Sequence, residues 1–395
     1  MASYGPPGPE GLWKKGARNR VFEKFSQWQK KRHEYAQEWK ARTGGKVLGY
    51  FCTYVPEEVA HAAGILPVRI MGGHKPEDIS GRHIYGMYCP YCRDVLAQGL
   101  NGTYHYLDGI TIAQSCLHIR QTFSSWALHV PTISYSHYIY HPMKVQSAQA
   151  VPYLAGEIVK FKTSLEEWSS QPITEEALRK SIDVYNTYRR LMVKLYETRK
   201  ADKPPITGAE AMEVVLASQM VDKAEFNAEL QRVLGELPQR KIDRSTGIRL
   251  MLIGSEDDDI EFLDMTEGLD ATVVVDDHCT GSRYFLVEVP PDKDLIMALA
   301  DRYVNRIVCP SKDWEDRSRA DHILKLAQDY RVQGAMVIQQ KFCDPHECDN
   351  PPIIEMLENK GIPCCFLEFD LTTPAGQLST RVEAFLETLL TEELF

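Results

Sequence analysis

Residues 106–126, YLDGITIAQSCLHIRQTFSSW, decide the fold. Leu107 to Ala113 mixes β-branched, apolar and hydroxyl residues, and the run breaks at Gln114-Ser115-Cys116. From Leu117 onward, Ile119, Thr122, Phe123 and Trp126 fall on one face of a helix. Cys116 therefore belongs at a strand-to-helix junction. In an open α/β sheet the loops at the carboxyl ends of the strands converge on a crevice, and ligands bind there.

The arrangement recurs along the chain. GAMVIQQK, residues 334–341, reads as a short buried strand, followed by Phe342-Cys343-Asp344-Pro345-His346 and a helical run from Pro351 to Asn359, so Cys343 also lies just past a strand end. ATVVVD, residues 271–276, precedes Asp277-His278-Cys279, and Cys89 and Cys92 occupy the turn-like YCPYCR before an apolar-periodic run from Val95 to Leu100. This alternation predicts an α/β protein with two Rossmann-like or flavodoxin-like domains, an N-terminal helical segment and a helical connector. The segments expected are a helical extension over 1–44, containing an amphipathic helix from Leu12 to Lys40, and a first α/β domain over 45–142 with Cys89 and Cys116. A connector over 143–240, packed partly on both domains, and a second α/β domain over 241–395 with Cys343 complete the chain. A strand over Thr132–Tyr135 is expected to leave His137, Tyr138, Tyr140 and His141 in the loop beyond it.

Composition narrows the classes of function. With 45 basic against 55 acidic residues the formal charge is −10, which disfavours a nonspecific nucleic-acid surface because that work is done by neutralising phosphates. The opening MASYGPPGPEGLWKKGARNR has no apolar leader core, and no segment approaches the ~20 apolar residues of a membrane span. A cytoplasmic protein is expected, in which the ten cysteines stay reduced rather than forming a disulfide scaffold. The acidic run Asp257 to Asp259 lies where carboxylates cap a helix, which explains it better than a divalent cation does.

The thiols carry the chemistry. If the two domains face each other, Cys89, Cys116 and Cys343 converge, and soft thiolates select iron–sulfur clusters, zinc or copper. Three equally placed cysteines suit a 4Fe-4S cluster with one iron left open, zinc with an open site is the competitor, and buried cysteines acting as small hydrophobes are the plain alternative. Taken alone, the Cys89/Cys92 spacing fits a redox dithiol, half of a metal site, or chance. There is no GxxxxGK[ST] phosphate loop, no GxGxxG after a strand and no HExxH, so a redox enzyme of this kind would receive its electrons from a separate protein.

Four blocks in order, GYFCTYVPEEVAHAAGILPVRI, YCPYCRDVLAQGL, YLDGITIAQSCLHIRQ and KFCDPHECDNPPIIEMLENKGIPCCFLEFD, resemble the core subunits of the 2-hydroxyacyl-CoA dehydratase and benzoyl-CoA reductase superfamily over residues 45–390. The HIRQTFSSW context and the length look most like the smaller cluster-bearing subunit of ATP-dependent benzoyl-CoA reductase. The resemblance implies one 4Fe-4S cluster per chain on Cys89, Cys116 and Cys343, with Cys92 extra, Cys52 and Cys279 without a role, and Cys348, Cys364 and Cys365 as supporting or core residues. It implies a homologous nonidentical catalytic subunit, an ATP-hydrolysing iron–sulfur activator fed by a low-potential ferredoxin, and two-electron dearomatising reduction of benzoyl-CoA to a cyclic diene. A 2-hydroxyacyl-CoA dehydratase subunit, or an electron-transfer or structural subunit of the same kind of complex, is the alternative. No nucleic acid and no membrane enter this picture. His118 and Arg120 are candidates for supporting the thiols or facing CoA, Tyr138 and Tyr140 for an aromatic wall, and His137 and His141 for proton donors.

Overall fold

The computed structural model describes residues 21–74, 79–291, 294–312, 316–370 and 375–392. The opening GPPGPEG and the first part of the Leu12–Lys40 helix lie outside the described residues. The rest of that helix breaks at Lys31 into α1 (Glu23–Lys30) and α2 (Arg32–Thr43), whose aromatic stripe Phe25, Trp28, Tyr35 and Trp39 is buried.

The first sheet unit runs β1 (Val47–Tyr50), α3 (Glu57–Ala62), β2 (Leu66–Arg69), α4 (Pro90–Leu100), β3 (Gly109–Ala113), α5 (Leu117–His129) and β4 (Tyr135–Ile139). Four helices follow: α6 (Ala150–Ser169), α7 (Glu175–Glu197), α8 (Gly208–Ser218) and α9 (Lys223–Glu236). The second unit runs β5 (Ile248–Gly254), α10 (Ile260–Glu267), β6 (Ala271–Asp277), α11 (Leu295–Asn305), α12 (Arg319–Asp329), β7 (Gly334–Gln340), α13 (Asp344–Glu358), β8 (Cys364–Phe369) and α14 (Ala375–Glu392). Both sheets are wholly parallel and share one topology, β2-β1-β3-β4 and β6-β5-β7-β8. This is the expected pair of Rossmann-like units with added helices.

The strand sequences explain the architecture. Parallel strands are covered by helices on both faces, so they read as unbroken apolar runs, and β1, β2, β3, β5 and β6 are buried at every residue. Local chemistry fixes the helix starts: Thr174 caps α7, and Thr207 with Glu210 forms a reciprocal capping box on α8. At the end of β5, Gly254 sits at φ +115°, where a Cβ would come within 2.1 Å of the Ile338 carbonyl oxygen. Only glycine lets β5 turn out there so close to β7.

One strand is displaced from its expected place. β4 begins at Tyr135 rather than ending there, and His137 and Tyr138 are in the ladder, paired with Thr111 and Ile112. The Thr111 hydroxyl also donates to the His137 carbonyl, 3.0 Å. Of β4 only Ile139 is buried, so its polar and aromatic residues lack the apolar run of a covered strand and resembled a loop.

The sheet units are tied through a buried polar network. Glu58 of α3 pairs with Arg189 of α7 and accepts from the Tyr303 hydroxyl of α11 at 2.8 Å, while Glu57 accepts from Tyr284 at 2.7 Å and faces Lys223 of α9 at 3.7 Å. Replacing one member strands the others' charge away from water. Arg189→Met should therefore lower unfolding stability by about 3–5 kcal/mol, whereas Arg190→Met, next in sequence but in an exposed pair with Glu288, should cost at most about 1 kcal/mol. Urea unfolding of the two variants checks this, and equal losses would contradict the network's role.

Candidate functional site

Each sheet reverses its strand order between its central strands, β1 and β3 in one and β5 and β7 in the other, and the loops leaving such a pair open a ligand crevice. Cys116 is the third residue after β3 and Cys343 the third after β7, and each is the N-cap of the helix that follows. Cys89 is the N-cap of α4. Both units wall the same space. Lys312 donates to the carbonyls of Gln114 at 2.7 Å and Pro142 at 3.0 Å, the backbone N–H of Cys309 donates to the Tyr54 hydroxyl at 2.8 Å, and His118 lies 3.7 Å from Asp344.

The electrostatics set one thiol apart. A hydrogen bond from Cys92, reinforced by His118, outweighs burial and holds the Cys89 thiol down at about 6, while burial pushes Cys92 up. Burial, with the nearby Cys89 charge second, raises Cys116 and Cys343. His118 is raised in turn by its contact with Cys89, with Asp344 adding to the effect. The Cys89 backbone N–H donates to His118 Nδ1 at 3.2 Å, which assigns the neutral ring's proton to Nε2, on the side of Asp344. The thiolate and the ring thus share one proton-rich corner of the crevice.

This arrangement does not suit a metal centre. Among the described residues no three His, Cys, Asp or Glu side chains are grouped to hold a metal ion, so the expected 4Fe-4S cluster on Cys89, Cys116 and Cys343, and with it the iron–sulfur and metal-binding reading of this chain, is corrected. The physical reason is that the thiols face protein partners of their own: Cys89 turns to Cys92 and His118, and Cys343 to the Ser255 hydroxyl.

The other sequence candidates fall in several places. Arg120 hydrogen-bonds Tyr138, whose ring packs 6.0 Å from Phe123 and 4.8 Å from Tyr140. His137 packs 5.1 Å from Phe161 on the α6 side, and burial lowers it. His141 is fully enclosed, its ring nitrogens facing the carbonyls of Pro142 at 2.9 Å and Tyr303 at 3.1 Å, and burial beside Lys312 holds it well down.

Three crevice residues escaped the sequence reading. Glu256, two residues after β5, is buried with Oε1 lacking a hydrogen-bond partner, and burial, then Asp258 and Cys279, pushes its carboxyl well up. Arg69, at the end of β2, is buried against Cys52 and Cys279 and donates to Tyr91 and Gln219. Lys312 is brought down to about 8 by burial. Only Glu256 left a trace in the sequence, as the first acid of EDDD. In that run Asp259 does cap α10, accepting from the Phe262 N–H at 2.9 Å, and Asp258 meets His74 at 2.6 Å, while Glu256 turns inward.

Large exposed apolar side chains accompany the thiols along the chain. Tyr85 (76% exposed), Met87 (64%), Leu117 (49%) and Phe342 (37%) flank Cys89, Cys116 and Cys343 in sequence. No helix among the described residues is long and apolar enough to cross a membrane.

The sequence matches the family described as 2-hydroxyglutaryl-CoA dehydratase, D-component, over residues 52–389. The chain belongs to this family. Similar members include the (R)-phenyllactyl-CoA dehydratase beta subunit of Clostridium sporogenes, 26% identical over 90% of this chain and 95% of its own length. A benzoyl-CoA reductase subunit of Thauera aromatica is 26% identical over 87% and 90%, and the (R)-2-hydroxyglutaryl-CoA dehydratase beta subunit of Acidaminococcus fermentans 26% over 89% and 94%. At equal identity no member of the family stands out, so the likeness to the smaller reductase subunit narrows to membership of the family that the dehydratases share.

For a family member with this crevice, the thiolate corner is directly measurable. The Cys89-dependent thiolate absorbance in the far ultraviolet, taken as wild type minus Cys89→Ser, should titrate with a midpoint of about 6, and His118→Asn should move that midpoint up by about one pH unit. Because the folded value lies below the unfolded one, the stabilisation from this thiolate is complete above the unfolded value and is lost as the pH falls through about 6. An unchanged midpoint in His118→Asn would sever the link between ring and thiolate.

Proposed function

We propose that this chain is a subunit of a heteromeric 2-hydroxyacyl-CoA dehydratase, which removes water across C2 and C3 of a 2-hydroxyacyl thioester to leave the 2-enoyl thioester. The observation that carries this reading is the match of residues 52–389 to a dehydratase component, supported by dehydratase subunits aligned over 90% and 89% of the chain. Benzoyl-CoA reduction is the second reading. It is favoured by the alignment with the reductase subunit and by the Phe123, Tyr138 and Tyr140 cluster, mutually tilted rings that offer an aromatic surface to a planar ring.

In the dehydratase reading the C2–O bond breaks, hydroxide leaves with a proton, and C3 gives up a proton. The C3 hydrogen is not adjacent to the thioester carbonyl and is not acidic in the resting substrate. The reading therefore assigns activation to an electron from a separate ATP-hydrolysing iron–sulfur activator fed by a low-potential ferredoxin, recovered at the end because loss of water is redox-neutral. Within this chain, the reading assigns the proton for the leaving hydroxyl to Glu256, whose carboxyl burial pushes well up, and a second proton to His118 at Nε2. Arg120 with Tyr138 offers charge-assisted donors to the thioester or the CoA tail. Lys312 acts as a positioning residue, since its ammonium fixes the Gln114 and Pro142 carbonyls beside Cys116. The exposed Tyr85, Met87, Leu117 and Phe342 are assigned to a homologous, nonidentical subunit that closes the crevice against water.

The test is reconstitution with that subunit, an activator, ATP and reductant, following the masses of products from a 2-hydroxyacyl-CoA and from benzoyl-CoA. Loss of one water from the hydroxy ester with benzoyl-CoA unchanged is expected. Addition of two hydrogens to benzoyl-CoA with the hydroxy ester untouched would replace the reading by the second. His118→Asn should reduce turnover on the order of 100-fold, and Leu117→Glu should weaken assembly about tenfold. Full turnover in both variants would move the chemistry to the partner's side and leave this chain an electron-transfer or structural subunit.

A further inference from the structure

A second site lies at the opposite edge of the second sheet. Beside the amino ends of β5 and β6, a groove of about 350 Å³ is lined by Lys203, Arg240, Lys241, Arg244, Ser245 and Thr246, with Pro204, Pro205 and Ile242 as an apolar side. That volume is in the range of small-molecule sites. In a chain of net charge −10, four cations lining one groove call for a reason.

The charges do not cancel. Arg240 is matched by Glu210 at 2.6 Å and Arg244 by Glu267 at 3.2 Å. Among the described residues Lys203 and Lys241, both exposed, have no ion-pair partner, and Asp202, the nearest acid in sequence to Lys203, is taken by Arg331 at 2.5 Å. Asp243 is exposed but does not line the groove. The pocket thus keeps about two uncompensated positive charges.

Its two arginines are fixed in place. Arg244 is anchored by the carbonyls of Glu267 and Ala271 and by Thr272, and Arg240 by the carbonyl of Pro205 at 2.7 Å. Ser245 Oγ accepts from the Gly247 N–H at 3.0 Å, which leaves its hydroxyl hydrogen free to donate outward.

We propose that this groove binds the diphosphate of a nucleotide-type ligand, with Lys203 and Lys241 as its charge contacts and Ser245 as a hydrogen-bond donor. Free ammonium groups beside a free hydroxyl donor, with fixed guanidinium charge behind them, are the chemistry that selects phosphate oxygens over a neutral ligand. The seven residues of β5 separate the groove from the thiol crevice by about 20 Å, so an anion bound here is not seated beside the acyl chemistry. The site accordingly stands whether or not the dehydratase reading does. A free nucleoside diphosphate and the diphosphate of a CoA tail offer the same chemistry, and the test separates them.

Calorimetric titration of the full chain at constant ionic strength, with inorganic pyrophosphate, ADP and coenzyme A in turn, reads the site. Pyrophosphate should bind with a Kd below about 1 mM, and Lys203→Glu/Lys241→Glu should weaken it at least tenfold, while Lys203→Arg/Lys241→Arg retains it. Both positions are exposed, so thermal unfolding of the charge-reversed variant should stay near that of the wild type. ADP binding more tightly than coenzyme A identifies a free nucleotide, and the reverse identifies a CoA tail. Absence of pyrophosphate binding, or binding unchanged in the folded charge-reversed variant, overturns the proposal.

Discussion

A carboxylate taken out of water must be matched where it lies, and the Glu57–Glu58 pair at the start of α3 imposes that condition on the whole molecule. Its partners come from the helical block and the second unit: Arg189 and Lys223 from one, Tyr284 and Tyr303 from the other. None of these contacts survives if the units slide relative to each other. The geometry of the crevice is inherited from this requirement, because the loops that wall it leave sheets whose relation the buried network fixes.

Given that fixed relation, parallel strands do the rest. Every strand of a parallel sheet points its carboxyl end the same way, so loops far apart in sequence open on the same side. Cys116 and Cys343, more than two hundred residues apart in the chain, thereby reach equivalent positions, and Lys312 crosses from the second unit to the carbonyls beside Cys116. The crevice is polar at its base and apolar at its rim. That gradient suits chemistry carried out away from water, closed by another surface.

Sequence pattern made the sheets legible because burial on both faces leaves unbroken apolar runs such as ATVVVDD and GAMVIQQ. It also made the positions of Cys116 and Cys343 legible, since each lies at a change of period from strand to helix, while Cys89 follows a turn that opens a helix. What the pattern did not carry is which side-chain atoms meet. Whether three thiols share an ion or turn to separate partners depends on rotamers and on His118 and Ser255, and no spacing encodes these; here the expectation of a cluster fails. Glu256 and Lys312 are single charged residues without a periodic signature, and their importance comes only from burial. His137 misled because β4, buried only at Ile139, lacks the unbroken apolar run of β3 beside it.

The shared strand order has one further consequence. β1, β2, β3 and β4 correspond one to one with β5, β6, β7 and β8, and the cysteines that follow β3 and β7 are offset from their strands by the same number of residues. The chain is therefore a tandem pair of one module, an internal pseudo-dimer whose two halves both wall the crevice. Such a wall is built twice from one plan and then diverges: the first module contributes the Cys89–His118 corner, the second Ser255 and Glu256. Asymmetry in the chemistry thus arises within a nearly symmetric frame, as it does between unlike subunits, but with the two halves always present in equal number.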